Sequence, residues 1–206
     1  MRKKLLPADG PLTFADYFRL NLLVQDVLSE LGYDFETTRM QHPLSDIDPL
    51  RTERLRTTFE ESMPCLTLTS EIARREFLIA PMLLEVVHYT SSQVRSEYSI
   101  DAGLQLKGSL DYLILGRQQM LVVEAKNEDL TRGFMQLAVE LVALEKVFDQ
   151  GGDVLYGAVS TGTSWQFGTL NRATKLVTQD LQTHRVPDDM DVVLKTLVGV
   201  LTSSSE

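Results

Sequence analysis

The chain has 206 residues, of which 43% are hydrophobic and 24% charged, and its formal net charge is −9. Such a composition is ordinary for a globular protein that buries a substantial core, and it excludes disorder over most of the chain. The acidic balance argues against a nonspecific nucleic-acid coat, because Lys and Arg supply phosphate binding. It lowers the expectation of a nucleic-acid role without excluding one.

Targeting signals and cysteine content set further limits. The N-terminus is basic, but only two leucines follow before Pro7, so we expect no signal peptide. The longest apolar stretch, residues 77–84, is too short to span a bilayer, and we expect a cytoplasmic protein without a membrane partner. A single cysteine, Cys65, excludes an internal disulfide and a cysteine-based metal cage, and we predict it to be a small buried residue.

The first predicted element is an amphipathic helix over residues 13–31. Thr13 and Asp16 resemble a capping box, and Gly32 is a C-terminal stop. We expect its Phe/Tyr face to pack against the rest of the fold, with a membrane or partner surface as the alternative. Residues 33–48 are rich in turn formers and are predicted to be a loop.

A short helix is predicted over residues 49–62. Asp46 and Asp48 precede its proline, a pattern typical of a helix cap, although with His42 they also have spacing that suits metal ligands. The cap is the preferred interpretation. Nothing in the chain repeats.

A third helix is predicted over residues 71–89, with Ser70 as its N-cap and a kink or break at Pro81. Helical spacing puts Glu76 in an apolar stripe, where an unpaired carboxylate is costly. Glu85 shares another stripe with apolar residues. Each glutamate either pairs with Arg74 or Arg75 or, beside a metal site, becomes an additional ligand.

From Gln93 the pattern changes to the two-residue alternation of a strand, and a turn at residues 101–103 leads into a predicted β-hairpin. Two runs of buried-strand type flank the polar residues 116–119. If Leu115 pairs with Met120, Asp111 lies opposite Glu124 on one face of the sheet, and Lys126 follows on that face.

The segment after Lys126 predicts a long helix over residues 130–149, capped by residues 127–129. Gln136 and Glu140 lie beside its apolar face, and its first turns should overhang the carboxylates. Strands at 154–160, 165–170 and 175–178 and a helix at 189–201 complete an order of β-β-β-α-β-β-β-α after the first helices.

The three ionisable groups have the chemistry that phosphodiester hydrolysis needs. Asp111 and Glu124 can hold Mg²⁺ or Mn²⁺ through oxygen ligands, with the carbonyl of Ala125 as a further ligand. The metal polarises the phosphate and lowers the pKa of a bound water, which Lys126 can orient or deprotonate. The alternative is a cross-strand salt-bridge cluster on a solvated sheet face. No Ser-His-acid site or Gly-rich phosphate loop is indicated.

The run Gly108-Ser-Leu-Asp111, twelve residues, then Glu124-Ala-Lys126, with a glutamate-bearing helix before and a long helix after, resembles the PD-(D/E)XK nuclease superfamily. Leu110 replaces the proline of the motif, and Glu140 stands where some exonuclease-like members have Tyr. The resemblance implies an α/β (α+β) restriction-endonuclease-like core, a central mixed sheet flanked by helices.

The resemblance also implies roles for particular residues. Asp111 and Glu124 would bind metal, Lys126 would be catalytic, Glu76 or Glu85 would join them, and Gln136 would border the site. One domain is expected over 1–206, with a mainly helical extension at 1–69, the nuclease-like core at 70–160, and further strands and a helix at 161–206.

These features predict a Mg²⁺- or Mn²⁺-dependent nuclease, with DNA preferred over RNA as the expected substrate and RNA left open. Because cleavage of both strands needs two active sites, a homodimer is also considered. A catalytically inactive nucleic-acid-binding or protein-interaction module that keeps the fold remains open, since fold does not decide function. So does a purely structural α/β domain in which the charged cluster is incidental.

Overall fold

The computed structural model describes residues 5–6, 10–117, 119–149 and 152–203. Within these ranges seven strands form one mixed sheet with helices on both faces, so the predicted α/β class is confirmed. The strands are β1 (Asp34–Thr38), β2 (Gln93–Asp101), β3 (Lys107–Leu115), β4 (Met120–Ala125), β5 (Val154–Ser160), β6 (Ser164–Asn171) and β7 (Leu176–Arg185).

The helices are α1 (Phe14–Arg19), α2 (Val24–Leu31), α3 (Pro49–Ser62), α4 (Glu71–Arg74), α5 (Ala80–Thr90), α6 (Leu130–Val147) and α7 (Met190–Thr202). A 3₁₀ turn at Met63–Cys65 follows α3, and a π-helical segment at Arg75–Ile79 joins α4 to α5. Across the part of the chain that is described, no helix combines the length and the apolar character that crossing a bilayer would require.

The strand order in the sheet is β1-β7-β6-β5-β4-β3-β2. β1 runs parallel to β7 and β4 runs parallel to β5, and the other neighbours are antiparallel. The predicted order from β2 to α7 is confirmed, although β7 extends to Arg185, well beyond its predicted end. Residues from 1–69, from 70–160 and from 161–206 all contribute strands to this one sheet.

Two apolar layers hold the helices against the sheet. The first contains residues of α1, α2 and α6, and the second contains residues of α3, α5, α7 and the π-helical segment. α6 is buried on all sides from Gly133 to Leu144, as expected of a helix in the middle of one layer. Its predicted core face is confirmed, since these residues all pack in the first layer: Leu130, Phe134, Leu137, Leu141, Leu144 and Phe148.

The single helix predicted over residues 13–31 is wrong, because the chain forms α1 and α2 with a break between them. Leu20 has extended backbone angles, and both Leu20 and Leu22 pack against the first layer. Alternate residues share a side only in extended chain, so a continuous helix cannot bury both leucines. The expected cap is present, as Asp16 accepts the N–H of Thr13 at 2.8 Å. Gly32 ends α2 in the left-handed conformation.

The Phe/Tyr face of the first helix packs inside the fold, as expected. Phe14 and Tyr17 are buried in the first layer. By contrast, the prediction that Cys65 is buried is wrong, because Cys65 is exposed at the end of the 3₁₀ turn after α3.

The loop predicted over 33–48 contains β1, which the prediction missed. β1 is a mostly exposed edge strand that offers few apolar residues, and its partner β7 lies far along the chain, so neither pattern nor proximity indicates it. The cap interpretation is confirmed for Asp48, which accepts the N–H of Leu50 at 2.9 Å. His42 instead pairs with Asp180, at 2.7 Å between Nε2 and Oδ2.

The helical stretch from Glu71 to Thr90 continues through Pro81 by means of the π-helical segment. Ser70 caps it, accepting the N–H of Ala73 at 3.1 Å. In the π segment Ala80 donates to the carbonyl of Arg75, five residues back, so one extra residue enters the turn. The extra residue shifts the buried face. The predicted burial of Glu76 is therefore wrong, since Glu76 is exposed.

Candidate functional site

The candidate site lies where β3 and β4 separate at one end of the sheet. The predicted hairpin register is confirmed from the pair Leu115–Met120 to the pair Tyr112–Val123. The ladder ends one pair before Asp111 and Glu124. Beyond the last pair, the Asp111 side chain is the hydrogen-bond acceptor for the final residue of β4, since its Oδ2 accepts the N–H of Ala125 at 2.8 Å.

The three predicted charged residues are buried together. The exposed fractions are 8% for Asp111, 1% for Glu124 and 7% for Lys126. The residues of β4 nearest the end of the sheet are covered by α6, whose N-cap Asp129 accepts the N–H of Arg132 at 3.0 Å. The alternative placed a cluster of salt bridges on a solvated sheet face. Salt bridges are present, but the solvated face is wrong, because the three residues are buried.

Glu124 is the centre of the hydrogen bonding. Lys126 Nζ and Gln136 Nε2 both donate to Glu124 Oε1. The same Gln136 amide donates to Glu140 Oε1 at 2.9 Å, as residues four apart on a helix can share a partner. As predicted, the first turns of α6 overhang the carboxylates, and the following turn brings a further glutamate, Glu140, to the cluster.

Burial controls the charge states of this cluster. It raises the pKa of Glu124, and the neighbouring carboxylates of Glu140 and Asp111 raise it further. Burial also raises the pKa of Glu140, to about 8. For Lys126, burial lowers the pKa, but attraction and hydrogen bonding to Glu124 outweigh it, and the net pKa is above the ordinary value. The lysine is therefore a charged donor and not a base at neutral pH.

Arg75, the first residue of the π-helical segment, reaches Asp111 from the opposite helical layer. Its Nη1 lies 2.9 Å from Asp111 Oδ1 and also binds Glu97. The guanidinium carbon lies 5.2 Å from the centre of the Tyr112 ring, which is within cation–π range. Burial lowers the pKa of Arg75, whereas the bond to Glu97 and the charge of Asp111 raise it to a net value above its usual range.

The rim of the site adds a second carboxylate and an aromatic ring around Lys126. Glu71 Oε2 lies 3.7 Å from the ammonium, and the side chain of Glu71 is partly exposed. On the other side the ammonium lies 5.3 Å from the centre of the Phe18 ring in α1. Each cation of the site thus bridges a buried carboxylate and a more exposed one.

Two predicted residues do not join the cluster. Glu76 lies exposed on the π-helical segment. Glu85 forms a two-pronged ion pair with Arg51 of α3, at 2.6 and 2.9 Å. The expected partners Arg74 and Arg75 are therefore wrong for Glu85.

The cluster also contains three charged residues that the sequence analysis did not assign to it, namely Arg75, Glu140 and Glu71. Glu140 had a usable signal, because it lies one helical turn after Gln136 in an otherwise apolar helix. No signal of this kind indicated Arg75, because its partners Glu97 and Asp111 lie on strands far along the chain. Glu71 is likewise brought in by the path of α4.

The donor chemistry of the cluster suits a divalent cation. Within the described residues, Glu124 Oε2 and Glu140 Oε2 are buried without a hydrogen-bond partner, which costs about 1–3 kcal/mol for each group. Among these residues no three or more His, Cys, Asp or Glu side chains are grouped so that they could hold a metal ion between them. Mg²⁺ does not need such a group, because it keeps several waters and uses one or two carboxylates. The carboxylates of Asp111 and Glu124 and the carbonyl of Ala125 are oxygen donors of the chemical type that Mg²⁺ uses.

Comparison of the chain with protein-family models, with curated proteins and with solved structures gives no match. The assignment of a function to this cluster therefore depends on its own geometry and chemistry.

Proposed function

We propose that the chain is a metal-dependent nuclease with a restriction-endonuclease-like core that hydrolyses phosphodiester bonds, with DNA as the first candidate substrate and RNA as the second. The observation that carries the proposal is the meeting of Asp111, Glu124 and Lys126 in one buried cluster with Gln136 donating to Glu124. Buried charges with perturbed pKa values at the end of a sheet are typical of functional sites. Their cost to stability is otherwise unexplained.

In this proposal Asp111, Glu124 and the Ala125 carbonyl hold Mg²⁺ or Mn²⁺. When bound, the cation would polarise the phosphate and lower the pKa of a water. Gln136 and Lys126 both donate to Glu124 Oε1, which leaves the unpartnered Oε2 as the oxygen that would bind the cation. The Ala125 N–H fixes one Asp111 oxygen, so the carboxylate needs little reordering.

Lys126 is the residue that we assign to the nucleophilic water. Its raised pKa keeps it protonated, so it orients the water and offsets developing negative charge instead of removing a proton. Because the ammonium also contacts the partly exposed Glu71, it lies on the solvent side of Glu124. That position suits a group that meets substrate.

The second candidate is a binding module that has the fold without turnover. It is favoured by the ion pairs Arg75–Asp111 and Lys126–Glu124, which already neutralise both predicted metal ligands. A protein with such pairs has less need of a cation. The two candidates differ in whether a divalent cation binds at all and in whether phosphodiester bonds are cut.

Calorimetry with Mn²⁺ tests the metal site. We expect binding by the natural protein in the micromolar to millimolar range, and its loss in Asp111→Asn and Glu124→Gln, which keep side-chain size. Glu85→Gln is the matched control, because Glu85 is a partly buried carboxylate whose partner Arg51 lies outside the cluster. Absence of heat from the natural protein at millimolar Mn²⁺ would overturn the metal site.

A cleavage assay on single-stranded and duplex DNA and RNA, with Mg²⁺ or Mn²⁺, then separates enzyme from binding module. Lys126→Met keeps the apolar stem of the side chain and removes the charge, and we expect it to reduce cleavage by at least a hundredfold. A variant that cuts as well as the natural protein would refute the role of the lysine. Sedimentation of the same samples tests the homodimer that duplex cleavage would call for.

A further inference from the structure

The two oxygens of the Asp111 carboxylate have different kinds of partner. Oδ2 accepts the backbone N–H of Ala125, a bond that the end of the sheet holds in place. Oδ1 faces the guanidinium of Arg75, whose Nη1 lies 2.9 Å away. If a cation is to bind Asp111, the Arg75 contact is the one that has to change.

Arg75 has a second partner in place, Glu97. The pairs Ser96–Tyr112 and Tyr98–Leu110 flank Glu97 and Asp111 in the β2–β3 ladder, so these two carboxylates are neighbours across the strands. Glu97 has a φ of +51°, in the left-handed region that non-glycine residues rarely adopt, and its side chain is 60% exposed. The guanidinium thus lies between a buried carboxylate and an exposed one.

Tyr112 contacts Arg75 through both its hydroxyl group and its ring. The Tyr112 hydroxyl donates to the backbone carbonyl of Arg75 at 3.5 Å, and the Arg75 guanidinium carbon lies 5.2 Å from the centre of the Tyr112 ring. Arg75 also begins the π-helical segment, a feature that is frequent at functional sites.

We infer that Arg75 is the resident counter-ion of the cluster, which pairs with Asp111 until a divalent cation takes that place and leaves the guanidinium with its second partner, Glu97. This inference rests on the proposed function, because it concerns cation binding at the same site. It makes Arg75 a residue that sets the affinity for the cation. A guanidinium and a divalent cation compete for one carboxylate oxygen, so metal binds at the cost of breaking an ion pair.

Competition predicts a gain of function in binding. Arg75→Gln should bind Mn²⁺ at least tenfold more tightly than the natural protein in calorimetry. Arg74→Gln is the matched control, since Arg74 is the adjacent cation but binds the neutral groups Asn127 Oδ1 and the Thr161 carbonyl. The control should change the affinity less than threefold.

Thermal unfolding gives a readout independent of cleavage. In EDTA, Arg75→Gln should melt below the natural protein, because Asp111 loses its counter-ion. Saturating Mn²⁺ should raise its melting temperature by more than it raises that of the natural protein, since binding stabilises according to affinity.

The rim glutamates provide a second test on partly exposed side chains, which can be replaced without affecting folding. Glu97→Gln removes the charge of the second partner of Arg75, so the guanidinium should stay with Asp111 and Mn²⁺ binding should weaken at least fivefold. Glu71→Gln, which removes a comparable carboxylate beside Lys126, should weaken it less.

Equal affinity of Arg75→Gln and the natural protein would overturn the competition and leave the metal site intact. An equal gain in Arg74→Gln would also overturn it, because a general charge effect would then account for the result. Binding by neither the natural protein nor Arg75→Gln would overturn both proposals. Where the natural protein binds Mn²⁺ and shows Lys126-dependent cleavage but Arg75→Gln gains no affinity, the proposed function stands and the role of Arg75 is rejected.

Discussion

At the scale of single residues, Glu140 has the environment that most affects stability. It is fully buried, it shares the Gln136 amide with Glu124, and burial raises its pKa to about 8. Folded protein therefore retains a proton on Glu140 that the unfolded chain releases above its usual pKa of 4.5. Glu124 is raised as well, so the two carboxyls titrate as a pair.

This gives a pH dependence of definite sign. Because the native state binds more protons between about pH 4.5 and pH 8, the free energy of unfolding falls as pH rises through that range, by up to ~1.4 kcal/mol per pH unit for each proton. Below about pH 4.5 the stabilising contribution of the protonated Glu140 is fully present, and above about pH 8 it is lost. Urea denaturation in EDTA at pH 5, 6, 7 and 8 measures the slope.

Glu140→Gln should flatten this profile and stabilise the protein at pH 8, since the amide keeps the shape and has no charge to bury. Glu60→Gln, at an exposed position of α3, is the control and should leave the slope unchanged. An identical slope in Glu140→Gln and the natural protein would mean that Glu140 is not the titrating group.

At the scale of elements, α6 and α7 approach their neighbours through glycine. A Cβ on Gly133 of α6 would lie 2.7 Å from Val159 Cγ2 and 2.8 Å from Lys126 Cγ. A Cβ on Gly199 of α7 would lie 2.3 Å from the backbone oxygen of Pro43. Alanine is the better helix former by about 1 kcal/mol, but these contacts oppose it.

We expect both Gly133→Ala and Gly199→Ala to lower the free energy of unfolding, by about 1–3 kcal/mol as in other overpacked sites. Gly199→Ala should cost more, because backbone cannot rotate aside whereas the Lys126 side chain can. Gly133→Ala should in addition weaken Mn²⁺ binding. Chemical denaturation and calorimetry measure the two effects, and a stabilised Gly199→Ala would contradict the close approach of α7 to the loop before α3.

The π-helical segment, also a feature at the scale of elements, decides which charged residue of the helical stretch before β2 faces the site. An α-helical spacing puts Glu76 on the stripe of Ile79 and Leu83, which are buried. The π-helical segment adds a residue between these positions, so Glu76 points outward and Arg75 contacts Asp111. Because of this one extra residue, the site contains Arg75, the proposed competitor of the cation, and not Glu76, the predicted ligand.

At the scale of the whole molecule, the net charge of −9 opposes the approach of nucleic acid. Lys126 and Arg75 cannot offset this, since both already pair with carboxylates. Binding of DNA should therefore depend on the divalent cation, which reverses the local charge.

Fluorescence anisotropy with labelled single-stranded and duplex DNA tests that dependence in the Lys126→Met variant, in which cleavage should not interfere. We expect a dissociation constant of about 10⁻⁴ M or weaker in EDTA and at least tenfold tighter binding with Mn²⁺. Glu124→Gln should show no effect of Mn²⁺. Equal binding of DNA with and without the cation would contradict a metal-centred site.

The sequence by itself determined the features that depend on neighbours along the chain. The caps Ser70, Asp48 and Asp129, the stop at Gly32 and the hairpin register are confirmed because each is decided within a few residues. That register, with the alternation of strands, was enough to bring Asp111, Glu124 and Lys126 together. Gln136 followed from the helix that begins just after them.

The tertiary structure alone decided what depends on contacts between distant segments. The edge strand β1 pairs with β7, the break at Leu20 buries two leucines, and the π turn brings Arg75 to Asp111 and Glu97. None of these has a local signal, because the free energy that favours them comes from burial and ion pairing across the chain. The sequence therefore determined that Asp111, Glu124 and Lys126 meet, and the packed fold determined that Arg75 meets them there.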